Sequence, residues 1–292
     1  MTPRRSFAAI VNPVSGRRSV LPRIRYIQRL AELRGGRLEI AITEGPGHAA
    51  QLAAEVAADT QALLVAGGDG TVGEVINGMG ERALPMLVFR TGTENLLARE
   101  LNMPSEPERV VELLEHGSPF PCDLGKVNGK RFLSVAGFGF DAECVQRMNR
   151  TRRGHITHFD YFWPIWRTFW SHRFPRLEID VDGEPFFAGQ GLALVGNIPR
   201  YSVGLRILRD ARTDDGLLDL GVFPCGTKAR LIFHACRAFA GRHIGAGGLL
   251  YRRFRSLRIR SPDQVPIELD GEFGGFLPAQ CEVVPAAMTF LR

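Results

Sequence analysis

The apolar positions of the first 120 residues follow strand and helix periods in turn. Short apolar runs bounded by turn residues predict buried strands, and apolar residues recurring every three to four positions predict helices. The predicted strands are 7–11, 37–43, 62–66 and 85–89. The predicted helices are 20–34, 48–58, one that starts at Val72, and 95–101. This alternation predicts a parallel sheet covered on both faces, with ligands at the carboxyl ends of its strands.

The pattern changes near residues 117–121. Asn-Gly or Asp-Gly pairs, the strongest short signal for a hairpin turn, now separate short alternating runs. These pairs lie at 128–129, 182–183 and 270–271. Helical stretches interrupt the strands at 141–171 and 226–240. The second half therefore predicts an antiparallel sandwich or barrel. With 292 residues, the chain is long enough for two domains, which we place at 1–120 and 121–292.

Charge divides the chain at the same place. Residues 1–120 carry 13 arginines against 14 acidic residues, a net charge of −1, whereas residues 121–292 carry 24 basic against 17 acidic residues, a net charge of +7. The second half should be attracted to an anionic surface, either a membrane or a nucleic acid. No lysine precedes Lys126, which excludes a P-loop NTPase in the first half.

Three further features limit the class of protein. No apolar run approaches the roughly 20 residues that span a bilayer, which argues against an integral membrane protein. The apolar run before Asn12 is too short for the core of a signal peptide. The five cysteines form no CxxC pair, and we expect reduced thiols in a cytoplasmic protein.

Candidate chemistry begins with a glycine-rich loop at 67–71, between a predicted strand and a predicted helix. Exposed N–H groups at a helix start favour phosphate. Asp69 would repel a phosphate unless a cation or a hydroxyl donor lies between them, and a magnesium nucleotide is the simplest such ligand. A tight turn with an aspartate helix cap stays open as the alternative. Residues 12–16 and 90–95 offer similar small and hydroxyl-bearing loops after two other strands, so a nucleotide crevice is favoured.

Several motifs carry a family resemblance. Residues 67–78 (GGDGTVGEVING) resemble the nucleotide-binding signature of the diacylglycerol kinase catalytic superfamily, which includes bacterial soluble lipid kinases, sphingosine kinases and ceramide kinases. Residues 12–16 (NPVSG) and 92–101 (GTENLLAREL) resemble its NPxSG and GTxN elements, and residues 214–219 (DDGLLD) and 269–272 (LDGE) resemble two elements of its second domain. The motifs occur in the family's order along nearly the whole chain.

The resemblance implies an α/β plus β architecture. An NAD-kinase-like α/β nucleotide-binding domain would precede an antiparallel β-sandwich domain that binds the lipid acceptor, with the active site in the cleft between them. The cofactors implied are ATP and Mg²⁺. The positions expected near the nucleotide are Asn12, Ser15, Gly16, Thr43, Gly67, Gly68, Asp69, Gly70, Thr71, Glu74, Gly92 and Thr93.

The same resemblance implies roles for acidic residues. Asp270 falls on the position of the general base, with Glu272 close by. Asp215 falls on a structural magnesium site, together with the backbone carbonyls of Arg212 and Leu217. Asp69 and Asp123 fall on the positions of a second magnesium network.

The chain departs from the family's pattern in two places. Leu96 replaces an aspartate that is usual after Asn95 in bacterial diacylglycerol kinases, which puts diacylglycerol as the substrate in question. Arg90 and Thr91 stand where a proline commonly precedes the GT element. Two alternatives are open for Arg90: its side chain contacts a phosphate, or it is solvated. Besides magnesium, phosphate charge could be neutralised by one of three arginines: Arg90, Arg17 or Arg18.

An aromatic segment with flanking arginines lies at 147–176. All three tryptophans, Trp163, Trp166 and Trp170, lie here, and they share one helical face with Phe159. A helix lying in a lipid interface has this composition. An aromatic face packed on the sandwich, with the arginines in water, is an equal alternative.

The leading hypothesis is an ATP-dependent lipid kinase that transfers the γ-phosphoryl group to a hydroxyl of diacylglycerol or a related lipid alcohol at the inner face of the membrane. A kinase of a soluble acceptor such as NAD, and a non-catalytic nucleotide- or lipid-binding protein, stay open. The glycine loops explain a nucleotide better than a nucleic-acid strand, so no nucleic-acid partner is expected. We interpret His155 and His158 as surface residues. The oligomeric state is not specified, and a homodimer stays open.

Overall fold

A computed structural model describes residues 2–16, 19–91, 95–151, 162–201, 204–244 and 248–292. It divides into two compact units. Unit 1 is Met1–Cys122 with Ala286–Arg292, and unit 2 is Asp123–Pro285. The sequence assigns all of 121–292 to one domain, whereas the last seven residues lie with unit 1.

Unit 1 is built from parallel strands and covering helices. Its strands are β1 (Ser6–Val11), β2 (Arg37–Ile42), β3 (Ala62–Gly67) and β4 (Met86–Arg90). Its helices are α1 (Leu21–Leu33), α2 (His48–Glu55), α3 (Asp69–Met79), α4 (Leu96–Glu100) and α5 (Pro107–His116). The strand order is β4-β3-β1-β2, all parallel, and Phe290 near the chain's end pairs beside β4. Every residue of β3 is buried, as expected for a central strand covered on both faces.

The predicted elements of unit 1 are present, with three differences. Helix α2 ends at Glu55, three residues before the predicted end. Helix α3 starts at Asp69 and not at Val72, so most of the glycine loop forms its first turn. Helix α5 was not predicted, although Pro107 at its first position and an acidic first turn are start signals.

Unit 2 is mostly antiparallel. Its strands are β5 (Pro119–Val127), β6 (Lys130–Phe132), β7 (Val135–Phe138), β8 (Arg176–Val181), β9 (Glu184–Gly196), β10 (Leu218–Pro224), β11 (Leu250–Phe254), β12 (Ser256–Arg260), β13 (Pro266–Leu269), β14 (Glu272–Phe276) and β15 (Ala279–Leu291). The long β9 pairs with β8 through its first half and with β7 and β10 through its second half, so it serves two sheets. Strands β5 and β15 begin in one unit and end in the other.

The three predicted hairpin turns are confirmed. Asn128, Asp182 and Asp270 have φ of +48°, +51° and +50°, and the glycine after each also has a positive φ. Two successive residues with positive φ are the requirement of a type I′ turn. Each pair joins two antiparallel strands: β5–β6, β8–β9 and β13–β14.

The predicted helical stretches of unit 2 are present in the described residues. They are α6 (Phe140–Thr151), α7 (Phe162–Ser171) and α8 (Lys228–Phe239). Phe159, His155 and His158 lie outside the described residues. Among the described helices, none combines the length and the apolar character that crossing a membrane requires.

Candidate functional site

The loop after β1 contacts the loops after β3 and β4. Asn12 Nδ2 donates a hydrogen bond to Thr71 Oγ1 at 3.0 Å, and the hydroxyls of Ser15 and Thr91 share one at 2.8 Å. Gly16, with φ +86°, lies so close to the carbonyl of Thr91 that a Cβ there would overlap its oxygen. Three loops that are far apart in sequence therefore meet at the carboxyl edge of the parallel sheet of unit 1.

A second set of contacts joins the loop after β3 to the start of α4. Asn95 is buried, and its Nδ2 donates to the Gly67 carbonyl at 2.9 Å. The Leu96 backbone N–H donates to Asp69 Oδ2 at 3.1 Å. Gly68, not Asp69, is the N-cap of α3, so the alternative of an aspartate helix cap is wrong. Asp69 instead fixes the backbone of the neighbouring loop.

The amino end of α3 lies at the centre of this arrangement. The helix has 11 residues and opens directly from the buried strand β3, so its first N–H groups lack partners within the helix. Gly68 and Gly70 keep the backbone there without side chains. The arrangement can accept an anion by backbone N–H groups and the helix dipole.

Thr43 and Glu74 flank this region. Thr43 is buried at the end of β2, and its N–H donates to the Val11 carbonyl at 2.9 Å. The Glu74 carboxylate accepts hydrogen bonds from the backbone N–H groups of Gly47 and Ala49 at 2.9 and 3.2 Å, and so holds the start of α2. Gly92, Thr93, Arg17 and Arg18, which were predicted near the phosphates, lie outside the described residues.

In unit 2, Asp270 occupies the β13–β14 turn with its carboxylate in a cradle of backbone amides. Oδ2 accepts from Leu133 N–H at 2.6 Å, and Oδ1 accepts from Ser134 and Val135 N–H at 2.7 and 3.1 Å. These bonds use three of the four lone-pair directions of a carboxylate and leave one on Oδ2. They also explain why β6 ends at Phe132 and β7 begins only at Val135, since the amides of residues 133–135 turn toward Asp270.

Burial raises the pKa of the Asp270 carboxyl, and the three backbone N–H donors oppose the rise. A carboxylate with a raised pKa is a stronger base than one in water. Glu272 starts β14, where it pairs with Leu269, so it lies one residue beyond the turn. The geometry suits proton acceptance at Oδ2.

The residues predicted to bind a structural magnesium make protein contacts. Asp215 Oδ1 accepts from the Leu217 N–H at 3.1 Å, and its Oδ2 is bonded to the Arg253 guanidinium. The Arg212 side chain pairs with Asp214 at 3.1 Å. The Arg253 guanidinium occupies Asp215 Oδ2, so a cation bound at this oxygen would have to displace it. The site stays a prediction.

Asp123 contacts the same turn. Its Oδ2 accepts from the Gly216 N–H at 2.7 Å, and its carbonyl accepts from Asn197 Nδ2 at 2.7 Å. Asp69 and Asp123 belong to different units. Within the residues that the structure describes, no group of three or more His, Cys, Asp or Glu side chains could hold a metal ion.

Sequence reasoning missed two parts of this chemistry. The amide cradle of Asp270 is formed by backbone N–H groups of 133–135, which leave no mark on residue type. The buried carboxyl groups of Asp141 and Glu268 were also missed. A signal existed for the second: Glu268 is the one charged residue in the otherwise apolar strand β13.

Known proteins match the chain along its length. Residues 6–127 match the diacylglycerol kinase catalytic domain, and residues 134–292 match the YegS C-terminal NAD kinase beta sandwich-like domain. A diacylglycerol kinase of Mycobacterium tuberculosis (strain CDC 1551 / Oshkosh) is 30% identical over 97% of this chain and 94% of its own length. One of Bacillus subtilis (strain 168) is 28% identical over 93% of this chain and 91% of its own.

A crystal structure of a diacylglycerol kinase from Bacillus anthracis str. Sterne has the same fold. Its TM-score is 0.73 at 21% identity, covering 98% of this chain and 96% of that one. The expected α/β domain followed by a β-sandwich-like domain is thereby confirmed. The two matched domains, the order of the motifs and the relatives' identity together show that the chain belongs to the diacylglycerol kinase catalytic superfamily, a family of lipid kinases.

Proposed function

We propose that this protein transfers the γ-phosphoryl group of ATP to a hydroxyl of diacylglycerol or a related lipid alcohol at a membrane surface. The observation that carries the proposal is the meeting of three loops at the carboxyl edge of the unit 1 sheet, held by the Asn12–Thr71, Ser15–Thr91 and Asn95–Gly67 hydrogen bonds. These contacts preorganise N–H groups and hydroxyls around the start of α3, where phosphates bind.

The roles of the residues follow from what each offers. Backbone N–H groups of 68–71, with the hydroxyls of Ser15 and Thr71, bind and orient the phosphates. Asp69 fixes the loop at Leu96. Asp270 receives the proton of the acceptor hydroxyl on Oδ2, while its amide cradle keeps the carboxylate in one orientation. Positioning and charge stabilisation carry most of the catalysis in phosphoryl transfer.

Mg²⁺ fits the donor set proposed for it. The Asp69 carboxylate of unit 1 is a hard oxygen ligand of the kind that Mg²⁺ prefers, and it would hold the ion together with phosphate oxygens; the Asp123 carboxylate of unit 2 offers the same chemistry. When bound, the ion would neutralise phosphate charge. Leu96 cannot supply the carboxylate that the family resemblance implies at this position, but its N–H holds Asp69 in place.

The lipid end of the proposal rests on helices α7 and α8, which together we term the aromatic–basic surface. Trp163, Trp166 and Trp170 of α7 are all exposed, and Trp170 shows 57% of its surface to solvent. Arg167 lies 5.1 Å over the ring of Trp163, and the Lys228 ammonium lies 4.9 Å over the ring of Trp170, which joins the start of α8 to α7. The alternative of an aromatic face packed inside is therefore wrong for these three tryptophans.

Helix α8 extends this surface. Only His234 of the helix is buried, while Ile232, Phe233 and Phe239 are exposed, the last by 70%. Neither α7 nor α8 contains an acidic residue, and α8 carries three basic ones. Exposed aromatic and aliphatic side chains amid positive charge suit an anionic lipid surface, into which the rings insert while the cations face the headgroups.

Replacing Trp163, Trp166 and Trp170 together by alanine should weaken binding to anionic vesicles by about 10-fold or more, because each ring loses apolar area that the interface would bury. Cosedimentation with phosphatidylcholine vesicles, with and without phosphatidylglycerol, measures this. The control is Leu33→Ala with Ile42→Ala, which removes exposed apolar side chains of unit 1. If the control loses as much vesicle binding as the tryptophan variant, or if the tryptophan variant loses none, the aromatic–basic surface does not bind the membrane.

A transfer assay tests the function itself. The protein is incubated with γ-labelled ATP, magnesium and either diacylglycerol in vesicles, other lipid alcohols, or NAD. Label in a lipid that depends on both protein and magnesium supports the proposal. Label in NAD alone would show a kinase of a soluble acceptor. Binding of ATP without any labelled acceptor would show a nucleotide-binding protein that does not transfer.

A further inference from the structure

Two carboxyl groups meet inside unit 2. Asp141 lies in the first turn of α6, and Glu268 lies in β13 opposite Gly137 of β7. A Cβ at Gly137 would be 2.9 Å from Glu268 Oε2 and would overlap Asp141 Oδ2. Both carboxyl groups thus occupy the space above the same glycine, which makes them direct neighbours.

Neither carboxyl forms a salt bridge in the described part of the chain, although the charge of His172 acts to lower the pKa of Asp141. Glu268 is 3% exposed; its Oε1 accepts from the Gly271 N–H at 2.5 Å, and its Oε2 makes no hydrogen bond of ordinary geometry, although the Gly137 N–H acts to lower the pKa of this carboxyl. Asp141 Oδ2 accepts from the Tyr201 hydroxyl at 3.4 Å, and its Oδ1 makes no hydrogen bond of ordinary geometry, although the backbone N–H groups of Asp141 and Ala142 act to lower the pKa of this carboxyl. Buried oxygens without donors are costly and call for a proton or a ligand.

The charged groups around Asp141 and Glu268 do not neutralise the two carboxylates. On α6 itself lie Glu143 and Cys144, and the β13–β14 turn adds the Asp270 carboxylate. His172, after α7, is the cationic candidate, but its Nδ1 lies 3.0 Å from Glu143 Oε1. Burial raises the pKa of both Asp141 and Glu268, and for Glu268 the neighbouring Asp141 raises the pKa further. Two adjacent buried carboxylates cannot both stay ionised.

We infer that Asp141 and Glu268 share one proton, as a carboxylic acid hydrogen-bonded to a carboxylate, and that this pair holds the turn that carries Asp270. A shared proton between Asp141 Oδ2 and Glu268 Oε2 supplies the donor that Glu268 Oε2 lacks, in a strong charge-assisted bond. Glu268 Oε1 meanwhile keeps the Gly271 N–H, directly after Asp270. Glu268 is a positioning residue: it acts on transfer through the turn.

The pair makes folding sensitive to pH, with a definite sign. The folded state holds a proton that a carboxyl of the unfolded chain releases above about pH 4. Since the unfolded state then binds fewer protons, the free energy of unfolding falls as pH rises toward the raised pKa of the pair. Glu268→Gln removes this dependence, because its amide donates to Asp141 without a titrating proton and its oxygen still accepts from Gly271.

Thermal unfolding at about pH 5 and about pH 8 tests the pair without any assay of activity. We expect the melting temperature of Glu268→Gln, relative to the unsubstituted protein, to rise by about 3 °C or more between the two pH values. The control is Glu178→Gln, which removes an exposed carboxylate of β8 and should show no such rise. The infrared spectrum should show a protonated carboxyl at about pH 7 that Glu268→Gln or Asp141→Asn removes.

Two results would overturn the pair: no protonated carboxyl at neutral pH, or a Glu268→Gln variant destabilised equally at both pH values, as expected for two carboxylates around a cation. The link between the Asp141–Glu268 pair and transfer rests on the proposed function and has its own readout.

The kcat of the unsubstituted protein should fall at alkaline pH as the last shared proton leaves. Glu268→Gln should keep its kcat at that pH, and Glu268→Ala should have a low kcat at every pH. A protein without any transfer activity leaves the melting and infrared results intact, so the two failures are distinguishable. If Glu268→Gln loses kcat at alkaline pH in the same way as the unsubstituted protein, Glu268 does not act as a positioning residue.

Discussion

Asp270→Asn should lower kcat by about 10²- to 10⁴-fold, the range that a positioned general base contributes, with little change in ATP affinity. The amide of asparagine cannot take the proton of an acceptor hydroxyl. The loops proposed to bind the nucleotide lie in unit 1, whereas the contacts of Asp270 with residues 133–135 all lie within unit 2. Single-turnover transfer and calorimetric ATP binding measure the two effects separately.

Asp182→Asn is a matched control for this substitution. Asp182 also starts an Asp-Gly hairpin turn with positive φ, and its carboxylate also accepts from backbone amides, those of Arg255 and Ser256 at 3.0 and 2.8 Å. Asparagine keeps the Oδ1 acceptor at both positions, whereas Asp270→Asn also sets its NH₂ group against the Leu133 N–H, at a cost of about 1–3 kcal/mol of stability. Only Asp270→Asn should lose transfer. If the two variants keep equal turnover, the proton acceptor is another group.

The pH profile gives an independent test of the same role. The role proposed for Asp270 needs its ionised form, so kcat should rise with pH through the pKa of this carboxyl, which burial raises above the ordinary aspartate value. An acid limb that lies at the ordinary aspartate pKa, or one that survives Asp270→Asn, would assign the limb to a different group.

The fold could be predicted well because its signals are local. Residues 128–129, 182–183 and 270–271 have positive φ, which few residue types tolerate, so the Asn-Gly or Asp-Gly pair alone predicts each hairpin turn. The apolar run at 62–66 likewise predicts the buried strand β3. The errors lie at element ends, where local pattern competes with tertiary contacts: Asp69 and Gly70 look like a loop but form the first turn of α3. The assignment of residues 286–292 to unit 1 depends on strand pairing across the whole chain, which no local pattern records.

The candidate site divides in the same way. Residue type indicated Asn12, Ser15 and Gly16: the first two supply a side-chain amide and a hydroxyl for hydrogen bonds between loops, and the third allows the close approach of a neighbouring carbonyl. Residue type could not show that Glu74 holds the start of α2, or that Arg253 bonds Asp215, because each partner is distant or is a backbone group. The Asp141–Glu268 pair needs both a strand register and a helix start, so it becomes visible only when β13 is placed beside β7.

Gly16→Ala should raise the dissociation constant for ATP by about 10-fold or more. The added Cβ would overlap the carbonyl oxygen of Thr91, so the loop 12–16 must move away from the loop after β4 and lose the Ser15–Thr91 hydrogen bond. The N–H groups and hydroxyls of two loops would then no longer point at one set of phosphates. Isothermal titration with ATP and magnesium measures the change.

Gly35→Ala separates this close approach from the cost of a left-handed backbone. Gly35 has φ +78°, near the +86° of Gly16, but no atom lies within 4 Å of its added Cβ. Both substitutions carry the cost of placing a Cβ at positive φ, about 1 kcal/mol of stability. Only Gly16→Ala meets a neighbouring loop. Because the backbone cost is common to both, a lower ATP affinity in Gly16→Ala alone assigns the loss to the contact with Thr91. Unchanged affinity in both variants would mean that the meeting of the two loops does not form the nucleotide site.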